Sequence, residues 1–136
     1  MDLVHELERR VLPSFHDLAA RLNGEIPRVV AQVYSHPVGS RTDFQGHALG
    51  VECRLLDTPA GRPDNVALEV GLRHLTSDAK LDASVCWGDP SGHAEAELLP
   101  TPIAATEAAS DELLAALPRL AAALREALRR GQPPEE

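Results

Sequence analysis

Three segments in the middle of the chain alternate apolar and polar residues with a period of two. They cover residues 47–56, 65–75 and 81–99. Since successive side chains of a β-strand point to opposite faces, the alternation predicts an antiparallel sheet with one apolar and one polar face. The polar positions are occupied by Glu52, Arg54, Glu69, Arg73, Asp82, Ser84, Cys86, Glu95 and Glu97. We therefore expect a flat, mostly acidic sheet surface that is open to water.

Apolar residues at helical spacing mark both ends of the chain. They predict one helix over residues 2–23 and a second helix that follows Ser110, which we expect to act as its N-cap. Pro13 is predicted to kink or divide the first helix, because proline removes a backbone donor. A further strand is predicted over 29–35. The fold class is therefore α+β in the order α-β-β-β-β-β-α, a four- to five-stranded antiparallel meander with both helices packed on one face.

The length of the chain bounds the number of domains. With 136 residues it can bury one sizeable core. We expect a single domain over residues 1–130 and a disordered tail over 131–136, where glycine and prolines follow the last apolar stripe.

Two turn signals predict how neighbouring strands pair. The sequence GDPSG at 88–92 is typical of a β-hairpin and sets Ser84 against Glu97. The TSDA turn before this strand sets Arg73 against Asp82, where opposite charges would face each other. Both turns keep apolar residues opposite apolar residues, which supports the sheet.

The sequence alone does not decide the pairing register between residues 47–56 and residues 65–75. In one register His47 faces His74 at the end of the sheet. In the other, shifted by two residues, Leu49 faces His74 and Arg54 faces Glu69. Both registers keep the apolar residues on one face, so the alternation cannot decide between them.

Composition and charge narrow the classes of function. The formal net charge is −8 and the chain has a single lysine, which argues against a nucleic-acid partner. No apolar run is long enough to span a membrane, and the first residues are acidic and unlike a signal peptide. Cys53 and Cys86 have opposite strand parity, so we expect two reduced thiols in a cytoplasmic protein. The bias towards alanine, arginine, leucine and proline suggests a bacterial genome.

Recognisable catalytic and cofactor motifs are absent from the sequence, so we expect no enzyme activity and no cofactor. One alternative remains for the histidines. His36, His47 and His74 could meet at one end of the sheet and hold Zn²⁺, or one of them could act as a general base. They could equally be half-exposed residues at strand ends.

The acidic face and the loop predicted over residues 36–46 suggest a function in protein binding. We expect a small acidic interaction module, such as an adaptor, a chaperone-like protein or a neutralising partner, that binds a protein with a basic surface. The chain would be a monomer or a homodimer. The alternative is a small-molecule or metal-binding domain, possibly hydrolytic, that uses His47 and His74. The predicted partner-binding residues are Glu52, Glu69, Arg73, Asp82, Ser84, Cys86, Glu95, Glu97, Phe44 and Arg41.

Overall fold

A computed structural model gives the architecture of the chain, and it describes residues 3–38, 45–56, 64–74, 80–89, 92–99, 102–104, 106 and 108–130. In chain order, the elements are α1 (Leu3–Glu25), β1 (Val29–Val38), β2 (Gln45–Leu55), β3 (Asn65–His74), β4 (Lys80–Asp89), β5 (Gly92–Glu97), β6 (Ile103–Ala104) and α2 (Ala109–Arg130). The predicted α+β order of elements is confirmed. The predicted tail, 131–136, lies outside the described residues.

The strands form one antiparallel sheet in which each strand from β1 to β5 pairs with the next. The short strand β6, which the alternation does not predict, pairs with the first two residues of β4. Since β5 pairs with residues 84–89 of the same strand, β5 and β6 lie along one edge of β4. The opposite edge of the sheet is formed by β1.

Both helices pack on the apolar face of the sheet, and one hydrophobic cluster joins them to the strands. Pro13 does not divide α1, which runs without a break from Leu3 to Glu25. The proline is exposed, whereas Val11 and Phe15 on either side of it are buried. The largest fully buried side chains are Leu7, Val11, Phe15, Leu22, Leu49, Val51, Leu68, Leu72, Leu81, Leu113, Leu120 and Leu124. Neither described helix has the combination of length and apolar content that a membrane span requires.

The start of α2 differs from the prediction. Ser110 lies inside the helix and is buried, so the expectation that it is the N-cap is wrong. Thr106 accepts hydrogen bonds instead, from the amide of Ala108 to its side chain (3.3 Å) and from the amide of Ala109 to its carbonyl (3.1 Å). The helix therefore begins before the serine, whose hydroxyl has no hydrogen-bond partner among the described residues.

The hairpin register predicted from GDPSG is confirmed, with Ser84 opposite Glu97. The register predicted from the TSDA turn is wrong, because Arg73 lies opposite Lys80, and Asp82 lies opposite Gly71. The difference is two residues. Since a shift of two residues leaves every side chain on its original face, either register buries the same apolar side chains in the core.

The pairing of β2 with β3 follows neither of the two registers left open by the sequence. His47 lies opposite Leu72, and His74 lies opposite Gln45. The histidines are therefore two residues out of line and do not face each other directly.

The loop predicted over 36–46 is shorter than expected, because β1 extends to Val38 and β2 begins at Gln45. Pro37 is tolerated in β1, since proline lacks an amide hydrogen and β1 is an edge strand. Residues 39–44, which include Arg41 and Phe44, lie outside the described residues.

The side chain of Asn23 protects the free edge of β1. The carbonyl of Arg28 accepts a hydrogen bond from the amide of Leu56, so the even residues of this segment bond to β2 and the odd residues face outward. Asn23 Oδ1 accepts from the outward amide of Ala31 (2.8 Å), and its Nδ2 donates to the carbonyl of the same residue (3.1 Å). One side chain thus takes the place of a neighbouring strand at this point.

Replacing Asn23 by alanine should lower the free energy of unfolding by about 1–3 kcal/mol, because two hydrogen bonds to Ala31 are lost. Alanine is the better helix former, so helix propensity acts in the opposite direction. Chemical denaturation measures the loss, and light scattering at high concentration should show increased self-association. The control is His16→Ala, an exposed change on the same helix. Equal stability of both variants would mean that the edge needs no such protection.

Candidate functional site

The open face of the sheet, which was expected to be flat, holds a depression. A depression of about 530 Å³ lies on the face that the helices leave uncovered. Its lining residues are Tyr34, His36, Glu52, Asp64, Asn65, Ala67, Glu69, Cys86, Trp87 and Gly88. We call this depression the acidic concavity, because its lining within the described part of the chain holds three carboxylates and no lysine or arginine.

Small residues occupy several outward positions on two inner strands of the sheet. Ala48 and Gly50 are among those of β2, and Ala67 and Gly71 are among those of β3. Longer side chains stand on the same face of β1, β2, β3 and β4. Of the four small residues, Ala67 lines the acidic concavity.

Tyr34 reaches across the sheet to Glu69 over a glycine. Tyr34 lies opposite Gly50, which lies opposite Glu69 on the next strand. The tyrosine hydroxyl donates a hydrogen bond to Glu69 Oε1 at 2.8 Å. A Cβ atom at Gly50 would lie 3.0 Å from that hydroxyl and only 2.0 Å from the carbonyl oxygen of Leu68. Only glycine permits both the close approach of the strands and the path of the tyrosine.

The surroundings of Tyr34 keep its hydroxyl protonated. Burial raises the pKa of Tyr34 well above its ordinary value, and the hydrogen bond to Glu69 and the negative charges of Glu69, Cys86 and Glu52 raise it further. Tyr34 is therefore a neutral hydrogen-bond donor in the concavity at all physiological pH values.

The second half-buried carboxylate is also held by a neutral donor. Asn65 Nδ2 donates to Glu52 Oε1 at 3.0 Å. In contrast, four ion pairs lie in the helical layer, and they join Arg9 to Glu6, Arg10 to Asp111, Arg21 to Asp17 and Arg125 to Glu25. These four arginines pair with acids of the helices, whereas Glu52 and Glu69 form no ion pair with a described cation.

An aromatic pair forms the wall of the acidic concavity on the side of β1. The rings of Tyr34 and His36 stack with centroids 5.4 Å apart and an angle of 24° between their planes. Both residues have outward parity on the edge strand. Carboxylates and a flat aromatic surface therefore lie side by side, which is a suitable environment for an organic cation.

Three of the predicted contact residues, Glu52, Glu69 and Cys86, line the concavity. Ser84 lies beside it and is buried, with its Oγ 3.6 Å from Cys86 Sγ. Cys53 is buried among the core residues, and both cysteines are free thiols on opposite faces, as predicted.

The remaining predicted contact residues are more scattered. Asp82 and Glu97 line a different depression, together with Leu98, Leu99 and Pro102. Arg73 and Glu95 occupy outward strand positions, but their side chains lie outside the described residues, as do Arg41 and Phe44 entirely. Tyr34 and Asn65 were not among the predicted site residues, because only the strand register shows that they contact the carboxylates.

The histidines predicted as an alternative metal site are not brought together. His36 lies in the concavity, whereas His47 has the parity of the helical face and contacts Ser35 Oγ through Nε2 at 2.6 Å. The side chain of His74 lies outside the described residues. Among the residues that are described, no group of three His, Cys, Asp or Glu side chains is arranged to hold a metal ion.

The contact of His47 belongs to a short chain of hydrogen bonds between α1 and the sheet. Ser35 Oγ donates to Glu8 Oε2 at 2.9 Å. Because a hydroxyl has one proton, Ser35 accepts from His47 Nε2 in this arrangement. The histidine is therefore not placed as a base for the serine, and the chain fastens the first turns of α1 to β1 and β2.

Comparison of the chain with protein-family models, with curated proteins and with solved structures found no match in any of the three.

Replacing Gly50 by alanine should lower the free energy of unfolding by at least about 2 kcal/mol, because a Cβ atom cannot avoid the backbone oxygen of Leu68. Gly71→Ala is the matched control on the next strand, where the nearest atom is the flexible carboxylate end of Asp82 at 3.1 Å. Chemical denaturation of both variants makes the comparison. Equal losses would show that the approach of the strands at Gly50 can relax.

Tyr34 is the only tyrosine of the chain, so the ultraviolet absorbance of phenolate reports on it alone. We expect no titration of the folded protein near pH 10, the ordinary value for tyrosine. Above that pH the folded state holds a proton that the unfolded state releases, so stability should fall as the pH rises. Glu69→Gln should lower the pKa of Tyr34, and Tyr34→Phe should remove this part of the pH dependence. Titration of the folded wild-type protein near pH 10 would contradict the described environment.

Proposed function

We propose that this protein is a non-enzymatic interaction module that receives a positively charged segment of another protein in the acidic concavity. The observation that carries the proposal is the presence of Glu52, Asp64 and Glu69 in one depression whose described lining contains no lysine or arginine. Charge complementarity then favours a basic partner.

The way in which the carboxylates are held supports the proposal. Tyr34 and Asn65 are neutral donors, so they fix the positions of Glu69 and Glu52 without cancelling their charges. Acceptors that are fixed before binding lose less conformational entropy when a partner arrives. The carboxylates of Glu52 and Glu69 are therefore suited to a ligand that carries a positive charge.

The cellular context is part of the same proposal. Two free cysteines, with Cys53 buried, agree with a reducing compartment, and we place the protein in the bacterial cytoplasm. It would act there as an adaptor, a chaperone-like protein or a neutralising partner. Arg41 and Phe44, in the segment between β1 and β2, remain predicted contacts.

Charge-only variants test the proposal with a defined probe, a fluorescent peptide of alternating glycine and arginine. Glu52→Gln with Glu69→Gln keeps the oxygens that accept from Asn65 and Tyr34 but removes both charges. We expect binding of the peptide, measured by fluorescence anisotropy at low salt, to weaken about tenfold. Higher ionic strength should weaken binding to the wild type.

The matched control removes two negative charges from the helical layer. Asp17→Asn with Glu112→Gln changes the net charge by the same amount, and both residues are exposed. This variant should bind the peptide with affinity within about twofold of the wild type, because surface charges far from the ligand are screened. Equal losses in the two double variants would show that net charge alone attracts the peptide and would refute the proposed site.

A further inference from the structure

Resting on the proposed function, we infer that the acidic concavity recognises arginine and discriminates against lysine. The basis is the juxtaposition of two carboxylates from neighbouring strands with the stacked rings of Tyr34 and His36. Each part of this arrangement matches a property of guanidinium that ammonium lacks.

The placement of the carboxylates suits a planar group with donors on two sides. Glu52 lies opposite Ala67, whereas Glu69 lies opposite Gly50, so the two acids occupy diagonal positions on adjacent strands. The Cα atoms of such diagonal neighbours are separated by about 7–8 Å, and their Cβ atoms by somewhat less. A guanidinium carries five N–H donors in a fixed fork and can bridge two acceptors, while an ammonium is a compact point charge.

The donors that hold the two carboxylates leave them able to bind a second group. Tyr34 occupies Oε1 of Glu69, and Asn65 occupies Oε1 of Glu52. A carboxylate has two oxygens with about four lone-pair sites, so one neutral hydrogen bond does not use up its capacity. Their orientation is restricted before the ligand arrives, which favours a ligand with equally fixed donor directions.

The aromatic pair supplies a surface on which guanidinium can stack. Tyr34 and His36 are stacked on the β1 side of the depression, and both line it. Arginine is attracted to aromatic faces through both its charge and its planar shape. A lysine side chain would gain only the electrostatic attraction between its charge and the ring face, because its ammonium group is not planar.

The difference in hydration between the two cations also favours arginine. Ala67 in the lining of the acidic concavity provides little side-chain bulk, and the depression of about 530 Å³ is within the range of ligand pockets. A cation that enters it loses part of its hydration. Guanidinium is more weakly hydrated than ammonium, so its desolvation costs less.

Two peptides of equal length and charge, one of alternating glycine and arginine and one of alternating glycine and lysine, test the inference. We expect the wild type to bind the arginine peptide at least about fivefold more tightly in anisotropy titrations. Tyr34→Leu should bring the ratio of the two affinities close to one. His36→Ala, an exposed change on the edge strand, should also lower the ratio, and it serves as the second variant should Tyr34→Leu fail to fold.

The outcomes separate this inference from the proposed function. Equal affinity of wild type for both peptides, with both weakened by Glu52→Gln and Glu69→Gln, would overturn the arginine inference and leave the function in place. No binding of either peptide, or binding insensitive to those two changes, would overturn both. An arginine preference that survives Tyr34→Leu and His36→Ala would refute the role assigned to the aromatic pair.

Discussion

The apolar side chains of the long strands can be buried in only one place, beneath α1 and α2, and this constraint fixes the positions of the other groups. Burying one large aliphatic side chain contributes about 1.5–3 kcal/mol, and a dozen of the largest are fully buried. A single hydrogen bond to a charged acceptor, such as that between Tyr34 and Glu69, contributes about 1.5–3 kcal/mol, no more than one of those side chains. A shift of one residue in any central strand would expose its apolar set, so the charged residues are forced to the open face.

The dominance of apolar burial over single hydrogen bonds explains which parts of the structure could be predicted from the sequence. The face of each residue follows from alternation, so the outward positions of Glu52, Glu69 and Cys86 were predicted. The register does not follow, because a shift of two residues preserves every face. The predicted register of the β4–β5 hairpin was correct because only two residues separate these strands, and so short a turn fixes their pairing. Longer connections between strands leave several pairing registers open. Without the correct register, Tyr34 and Asn65 could not be identified as the hydrogen-bond partners of Glu69 and Glu52.

The distribution of charge between the two layers is a second consequence of the same constraint. In the helical layer, acids and arginines share exposed surfaces and form pairs such as Arg125 with Glu25. Such pairs contribute little to stability, but they neutralise the local potential. On the sheet, small residues and neutral donors surround the carboxylates of the acidic concavity. The described lining of the acidic concavity therefore carries three carboxylates and no lysine or arginine, whereas the arginines of the helical layer stand beside acids.

The β1 edge and the open face of the sheet differ in which of their polar groups are already bonded, and this difference bears on the proposed binding of a basic partner. At the edge, Asn23 already occupies the amide and carbonyl of Ala31. Pro37 has no amide to offer, and its carbonyl contacts the ring Nδ1 of His36 at 3.1 Å. A strand added there would have to displace bonds that exist in the free protein, whereas a side chain entering the acidic concavity meets carboxylates that lack a described cation. For the proposed basic partner, an inserted side chain would therefore be favoured over strand addition at β1, because it would gain charge pairing without breaking the protection of the edge.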